Sequence, residues 1–444
     1  MSTLSPLGYK GTRDYYPEDK RVQNYIFSVW RKVVQRHGYQ EYGAPLIEPL
    51  EVYTAKSGQE LANEQTYSFT DRGDRVVAIR PEMTPSISRM VAARRQELGY
   101  PARLYSIANF MRYERPQRGR EREFWQLNAD LFGADGVYAD AEIIGLAYEI
   151  MTAFGAKSDM YIIRINNRDL INHMMNGFLG LDGVGAQMMI KLFDRKVKIP
   201  EEEFIRQAVE IFGQENAENG LRKIGQLLDA KSVTDLPAEL HEEESVKALQ
   251  ELFEQLDEAG VENVRFDVTL MRGLDYYTGM VFEVFDLHPD NNRSMFGGGR
   301  YDGLVGLFGA DPIPTVGFAP GFTTTELFLR THNLLPELHS TTEIAVVVVD
   351  DNLPAALDIA RKLRAEDVNV EVDISGRKLD KQIKAAVKKD VPYMVFVGAD
   401  EVKEQLFTLK EIATAREEKL SLERIVSKVK DQRRKSNDDD DLLA

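Results

Sequence analysis

The segment NFMRYERPQRGREREFWQLNADLFG (residues 109–133) interleaves arginines with glutamates between two apolar, strand-like runs. Arg112 falls at the end of the first run, and Arg118 and Arg120 fall in a loop marked by Pro116 and Gly119. Guanidinium forks placed at different depths suit phosphate or carboxylate, because each fork binds two oxygens at once. The same pattern also fits a surface of ion pairs within the hairpin, since Glu114, Glu121 and Glu123 alternate with the arginines. The formal net charge is -16, so the arginines form a local cationic site on an acidic body. That acidity argues against indiscriminate nucleic-acid binding and leaves room for one specific basic face.

Other residues could join this site. Arg272 adds a cation in LMRGLDYYTGMVF, where Gly273 permits close backbone approach. A regular strand there would put the hydroxyls of Tyr276 and Tyr277 on opposite faces; a plain strand with an interfacial aromatic pair would look the same. Glu82 and Asp130 are acidic residues inside strand-like runs. On a covered sheet face a carboxylate needs a partner, either a ligand's amine or imidazole or a neighbouring arginine.

Several chemistries are absent from the pattern. With no cysteine, disulfides, thiolate metal sites and cysteine nucleophiles are excluded. The six histidines show no metal-ligand spacing and no HExxH. GGGRYDG lacks the lysine of a phosphate-binding GxxxxGK[ST] loop, and no GxSxG elbow occurs. Arginines without a catalytic cysteine or histidine suit a reaction whose substrate carries the nucleophile. Attack of a carboxylate on the α-phosphate of ATP needs charge neutralisation and in-line placement more than a general base, and Mg2+ would help to hold the phosphates.

The elements that must position these residues read as a mixed α/β chain of 444 residues, long enough for more than one domain. Residues 19–37 have helical spacing ending at Gly38. YGAPLIEPLEVY reads as a strand entering extended chain, TYSFTD and RVVAIRPE as a hairpin, and Thr84 as the cap of the following helix. ARLYSIANFMRYE and REFWQLNADLFG are antiparallel partners around PQRGR. A helix follows from Asp140 to Phe154, then the strand DMYIIRINN. Helical patterns dominate about 172–262, which reads as an insertion, and strand character resumes at VRFDV. From Thr342, EIAVVVVD opens an alternation of strands and helices that forms a small α/β domain. The end, with Asp438 to Asp441, reads as an acidic, disordered tail. No apolar run reaches membrane-spanning length and no secretory signal opens the chain, so the expectation is cytoplasmic and without membrane.

RPEMTP (80–85), FMRYERPQRGREREFWQL (110–127), MRGLDYYTGMVFE (271–283) and KGTRDYYP (10–17) together resemble the histidyl-tRNA synthetases, and the resemblance covers nearly the whole chain. It implies a class II synthetase-type antiparallel sheet flanked by helices over 1–333, with the helical insertion at about 172–262. It also implies an anticodon-binding α/β domain over 342–436 and an acidic tail over 437–444. GYQEYGAPLIEPL resembles motif 1, the dimer-forming segment, and the arginine hairpin resembles motif 2. The implied partners are L-histidine, ATP with Mg2+, tRNA(His) and a second copy in a homodimer; no protein-bound metal is implied.

The implied roles follow position by position. Arg112 bridges the histidine carboxylate and the α-phosphate, with Arg272 on the opposite side. Glu114 meets the adenine side and Arg120 the distal phosphates. Glu82, Thr84 and Gln126 hold the amino group. Asp130 and Tyr276 read the imidazole, with Tyr277 alongside and Tyr301 lining the pocket. Two departures stand out. Asp130 occupies a place where many members carry glutamate. The expected G-x-E-R of motif 3 reads GFAPGFTTTELF, with Thr323 and Thr324 in place of Glu and Arg. The missing arginine removes a contact to ATP that is worth about 1.5–3 kcal/mol. An alternative is a synthetase-like paralogue without catalysis, similar to the histidine-sensing regulatory subunit of ATP phosphoribosyltransferase. The complete C-terminal domain argues against it, and the altered motif 3 argues for it.

Overall fold

Alternating apolar residues between Ala102 and Phe132 produce the longest strand pair of the molecule. In the computed structural model, which describes residues 4–55, 64–271, 276–291 and 293–442, β5 (Ala102–Met111) pairs with β6 (Glu123–Phe132) in register from Ala102↔Phe132 to Met111↔Glu123. The elements before this hairpin are α1 (Pro17–Arg36), β1 (Gln40–Glu41), β2 (Ile47–Pro49), α2 (Glu51–Thr54), β3 (Ser68–Thr70), β4 (Val76–Ile79) and α3 (Thr84–Ala93). After it come α4 (Val137–Ala153), β7 (Tyr161–Asn167), α5 (Arg168–Asn172), α6 (Gly183–Asp194), α7 (Glu201–Phe212), α8 (Ala217–Asp229), α9 (Glu244–Glu258), β8 (Val264–Phe266), β9 (Met280–Asp286), β10 (Ser294–Arg300), β11 (Thr315–Phe318) and α10 (Phe322–Thr331).

The eight-stranded sheet has the order β1-β5-β6-β11-β10-β9-β7-β8. Only the edge pairs β1–β5 and β7–β8 are parallel; the six central strands run antiparallel. A smaller sheet, β2-β4-β3, contains the expected hairpin. The second half of β6 is buried on both faces, with Leu127, Ala129, Leu131 and Phe132 at 1% exposure or less, so a polar residue among them has no water to turn to.

The glycine run of β10 is explained by close approach. A Cβ on Gly298 would press into the carbonyl oxygen of Gly317 and the side chain of Phe318. Gly298→Ala is therefore expected to destabilise the protein by about 1–3 kcal/mol through overpacking. Urea unfolding checks this, and an unchanged midpoint would contradict the packing argument. At the end of the same strand the buried Arg300 donates to Asp140 Oδ1 on α4 (Nη2 2.7 Å, Nε 3.1 Å) and to Gly136 O at 3.1 Å, which fixes the start of Tyr301. Burial pushes the Asp140 carboxyl up to about 6, against the pull of Arg300.

Residues 335–444 together with 15–24 form a second unit, separate from 1–14 and 25–334. Its elements are β12 (Ile344–Val348), α11 (Leu353–Ala365), β13 (Val370–Val372), α12 (Leu379–Lys388), β14 (Tyr393–Val397), α13 (Ala399–Glu404), β15 (Phe407–Glu411), β16 (Glu417–Leu420) and α14 (Leu422–Leu442). Strand order is β13-β12-β14-β15-β16, parallel through β12 and antiparallel beyond β14. The alternation in β12 serves two faces. Ile344, Val346 and Val348 join Ile359, Leu363, Ile425 and Val429 on one side, and Ala345 and Val347 join Ala386 on the other.

Two local expectations change. Thr84 is the first residue of α3, not its cap: Met83 holds the cap position and no side chain caps it. Tyr276 and Tyr277 do not lie on a strand, since β9 begins only at Met280. The backbone of α14 runs as far as Leu442.

Candidate active site

The hairpin loop closes tightly. Gln117 and Arg120 exchange backbone hydrogen bonds of 3.1 and 2.8 Å, and Gly119 at the turn takes φ +76°, which favours glycine. The N-terminal signature buttresses the hairpin base: Arg122 N donates to Gly11 O at 2.7 Å, and Arg13 donates to Glu326 Oε2 at 2.7 Å. Arg13 and Glu326 were not singled out from sequence, because only the fold brings together residues so distant in the chain.

Beside this hairpin a cavity of about 1130 Å³ opens on the sheet. Its lining includes Glu82, Thr84, Arg112, Glu114, Arg120, Gln126, Asp130, Tyr276, Tyr277 and Tyr301, so ten of the candidate residues meet in one place. Arg272, the remaining candidate, lies outside the described residues.

The arginines separate by environment. Arg112 is anchored through Nε to Pro81 O at 2.9 Å, and its guanidinium stacks 5.1 Å from the Phe124 ring centroid. Among the described residues its terminal nitrogens make no hydrogen bond, so the fork is held but unspent. Arg120 pairs with Glu114 Oε2 at 3.0 Å, so part of the hairpin is the ion-paired surface that the charge alternation also allowed. Arg122 is structural, donating to Tyr9 Oη at 3.0 Å and lying 4.1 Å from the Tyr113 ring. Thr323 donates to Glu121 at 3.1 Å, and burial raises that carboxyl's pKa.

The deep end is polar and buried. Asp130 is 3% exposed, and burial pushes its carboxyl up to about 7, against a hydrogen bond from Tyr301 Oη to Oδ1. Tyr276 donates to Glu82 Oε2 at 2.9 Å, and burial raises the pKa of the Tyr276, Tyr277 and Tyr301 phenols. Tyr276 sits edge-to-face against both other rings, at 5.2 and 5.7 Å. The pair thus faces one pocket rather than two sides of a strand.

Gln126, Asn128 and Asp130 alternate along β6 and line the same cavity. Asn128 was missed; its period-two spacing between two chosen residues was the available signal. Among the described residues, Oδ2 of Asp130 and Nδ2 of Asn128 are buried without a hydrogen-bond partner. They leave one acceptor and one donor for whatever enters. Gly317 explains how the carboxyl fits: a Cβ there would collide with Asp130 Oδ1 and approach Tyr301 Oη.

Among the described residues no trio of acidic or histidine side chains could hold a metal, and no helix is long and apolar enough to cross a membrane.

A family model described as histidyl-tRNA synthetase matches residues 11–324, and one described as anticodon binding domain matches 343–432. The histidine–tRNA ligase of Leptospira biflexa is 40% identical over 97% of this chain and 98% of its own. That of Haloarcula marismortui is 37% identical over 91% and 93%. Among solved structures, histidyl-tRNA synthetase from Nostoc sp. PCC 7120 superposes with TM-score 0.81 at 24% identity, over 97% of this chain and 100% of that one. A structure titled ATP phosphoribosyltransferase regulatory subunit/histidyl-tRNA synthetase, from Bacillus halodurans C, gives TM-score 0.73 at 22% identity over 89% and 99%.

Proposed function

The chain belongs to the histidyl-tRNA synthetase family, and from that premise we propose how its site carries out histidine–tRNA ligation. It is an aminoacyl-tRNA synthetase, a ligase with a tRNA-binding anticodon domain. The family uses ATP and Mg2+ in general.

L-histidine enters ring first. An imidazole offers one N–H and one bare nitrogen, which complement the unpartnered Oδ2 of Asp130 and Nδ2 of Asn128; this pairing is the observation that carries the assignment. Tyr276 joins Asp130 in reading the ring, with Tyr277 and Tyr301 as walls. Glu82, Thr84 and Gln126 hold the amino group. The carboxylate then lies at Arg112, with Arg272 assigned to the far side of the α-phosphate by its motif.

ATP occupies the hairpin end, with Glu114 toward the adenine and Arg120 toward the distal phosphates; Arg120 must then exchange its Glu114 contact for a phosphate. The histidine carboxylate oxygen attacks the α-phosphorus, the bond to pyrophosphate breaks, and histidyl-adenylate forms. The terminal ribose hydroxyl of tRNA(His) attacks the activated carbonyl and AMP leaves, with an adenylate phosphate oxygen taking the proton. Mg2+ held with the phosphates would supply charge neutralisation there.

Residues 1–333 serve as the catalytic domain, with 172–262 gripping the acceptor arm, and 342–436 reads the anticodon. A cytoplasmic homodimer is the working form. The regulatory alternative is less well supported, because curated relatives at 35–40% identity over nearly the full chain are ligases.

The test is exchange of labelled pyrophosphate into ATP, driven by histidine and not by other amino acids, followed by charging of tRNA(His). Folded, magnesium-supplied protein that shows no histidine-dependent exchange would sink this reading.

A further inference from the structure

The loop at 117–120 is latched to the segment entering β10 by two crossed hydrogen bonds. Arg118 Nη2 donates to Asn291 Oδ1 at 3.0 Å, and Arg293 Nη2 donates to Gln117 Oε1 at 3.1 Å. Both acceptors are neutral amides. Among the described residues neither guanidinium has a carboxylate partner, although both line the cavity. Three other cations that line the cavity are paired with carboxylates, Arg120 with Glu114 at 3.0 Å, Arg164 with Asp267 at 2.9 Å and Lys198 with Asp194 at 3.8 Å, while Arg112 is held at its own place by Pro81 and Phe124. Guanidinium groups held only by neutral tethers remain free to pair with an anion that enters the cavity.

Thr324 lies at the same corner. Its Oγ1 lies 2.9 Å from Met295 O and 3.0 Å from Gly321 O, with one hydrogen to give to either, and its methyl lies 3.8 Å from where a Cβ on Gly119 would stand. A short side chain at 324 therefore lets the loop settle close over α10. Arg293 stands two residues before Met295 and grips the loop two residues before Gly119. A cation is thus carried to this corner from the β10 side, where the α10 side offers only a hydroxyl.

We infer that Arg293 is a triphosphate-binding residue that supplies from β10 the positive charge lacking at Thr324. The inference rests on the reading of this cavity as the ATP site. When ATP binds, the Arg293 fork leaves Gln117 or shares it with a phosphate oxygen. Because its tether is neutral, the exchange breaks no ion pair.

The test compares the wild type with Arg293→Ala and Arg293→Lys in histidine-dependent pyrophosphate exchange, titrating ATP and histidine separately. Arg293→Ala should raise KM for ATP about tenfold, leave KM for histidine within about twofold, and be largely rescued by lysine, which keeps the charge. An ATP KM close to wild type overturns the inference, as do equal rises for both substrates, which mark a structural role. A rise in the KM for tRNA alone, read in charging assays, also overturns it and assigns Arg293 to the tRNA backbone. Absence of exchange in the wild type is a different result: it removes the proposed activity itself.

Discussion

Replacing Arg112 by alanine should lower histidine-dependent pyrophosphate exchange by about 10²- to 10³-fold, the range for loss of one preorganised donor at a centre of developing charge. The protein prepares this side chain at some cost. Its Nε is committed to Pro81 and its plane to Phe124, which leaves the terminal nitrogens oriented for two oxygens at once. Lysine should restore little, because it keeps the charge and loses the fork. Circular dichroism of the variant should show the wild-type fold, with only the modest loss of melting temperature expected from the contacts to Pro81 and Phe124. A loss smaller than about tenfold with intact folding would remove Arg112 from the reacting centre.

Asp130→Asn should weaken histidine by about 10- to 100-fold in the exchange assay, the scale of a buried charge-assisted hydrogen bond, with the ATP KM little changed. The same variant makes an opposite prediction for the ligand-free protein. The folded carboxyl titrates at about 7, whereas an unfolded aspartate titrates at about 3.9. Below about pH 4 both states hold the proton and Asp130 costs nothing. As pH rises from about 4 to about 7 the unfolded chain releases it first, so the native state loses stability; above about 7 the loss is constant. Asparagine has no such dependence. Ligand-free Asp130→Asn should therefore melt above the wild type at pH 8, with a gap that narrows toward pH 5. A gap of equal size at both pH values would mean that the carboxyl titrates normally and that its burial has been misread. Together the two effects describe a residue kept for ligand binding against the interest of the empty fold.

What was legible in the sequence had a local signature. The arginine hairpin, with alternating strands and a Pro–Gly loop, folds as its pattern says, and so does the strand–helix alternation after Thr342. Tyr276 lines the cavity but was wrongly oriented: it was read as part of a strand, while the β9 ladder begins only at Met280. Thr84 has the right chemistry for a cap and the wrong position, because Met83 already takes the turn. Asn128 could have been reached by counting in twos along β6. Arg293 could not. Its role depends on a hydrogen bond to a residue 176 positions away, and nothing in NNRSM distinguishes it from any exposed loop arginine. Side chains fixed by one long-range partner carry no periodicity, and periodicity is what a single sequence displays.

The glycines beneath the ligand have a further consequence, for the evolution of specificity. At Gly298 and Gly317 the floor of the pocket is bare main chain, already in contact with its neighbours. Every substitution there adds atoms and none removes them. Drift at these positions adds a clash with neighbouring atoms and opens no space. A larger amino acid would need the walls trimmed, for example at Tyr276 or Tyr301, whose hydroxyls donate to Glu82 and Asp130. In the proposed histidine pocket, mutation at these two glycines can therefore spoil the fit but cannot widen it.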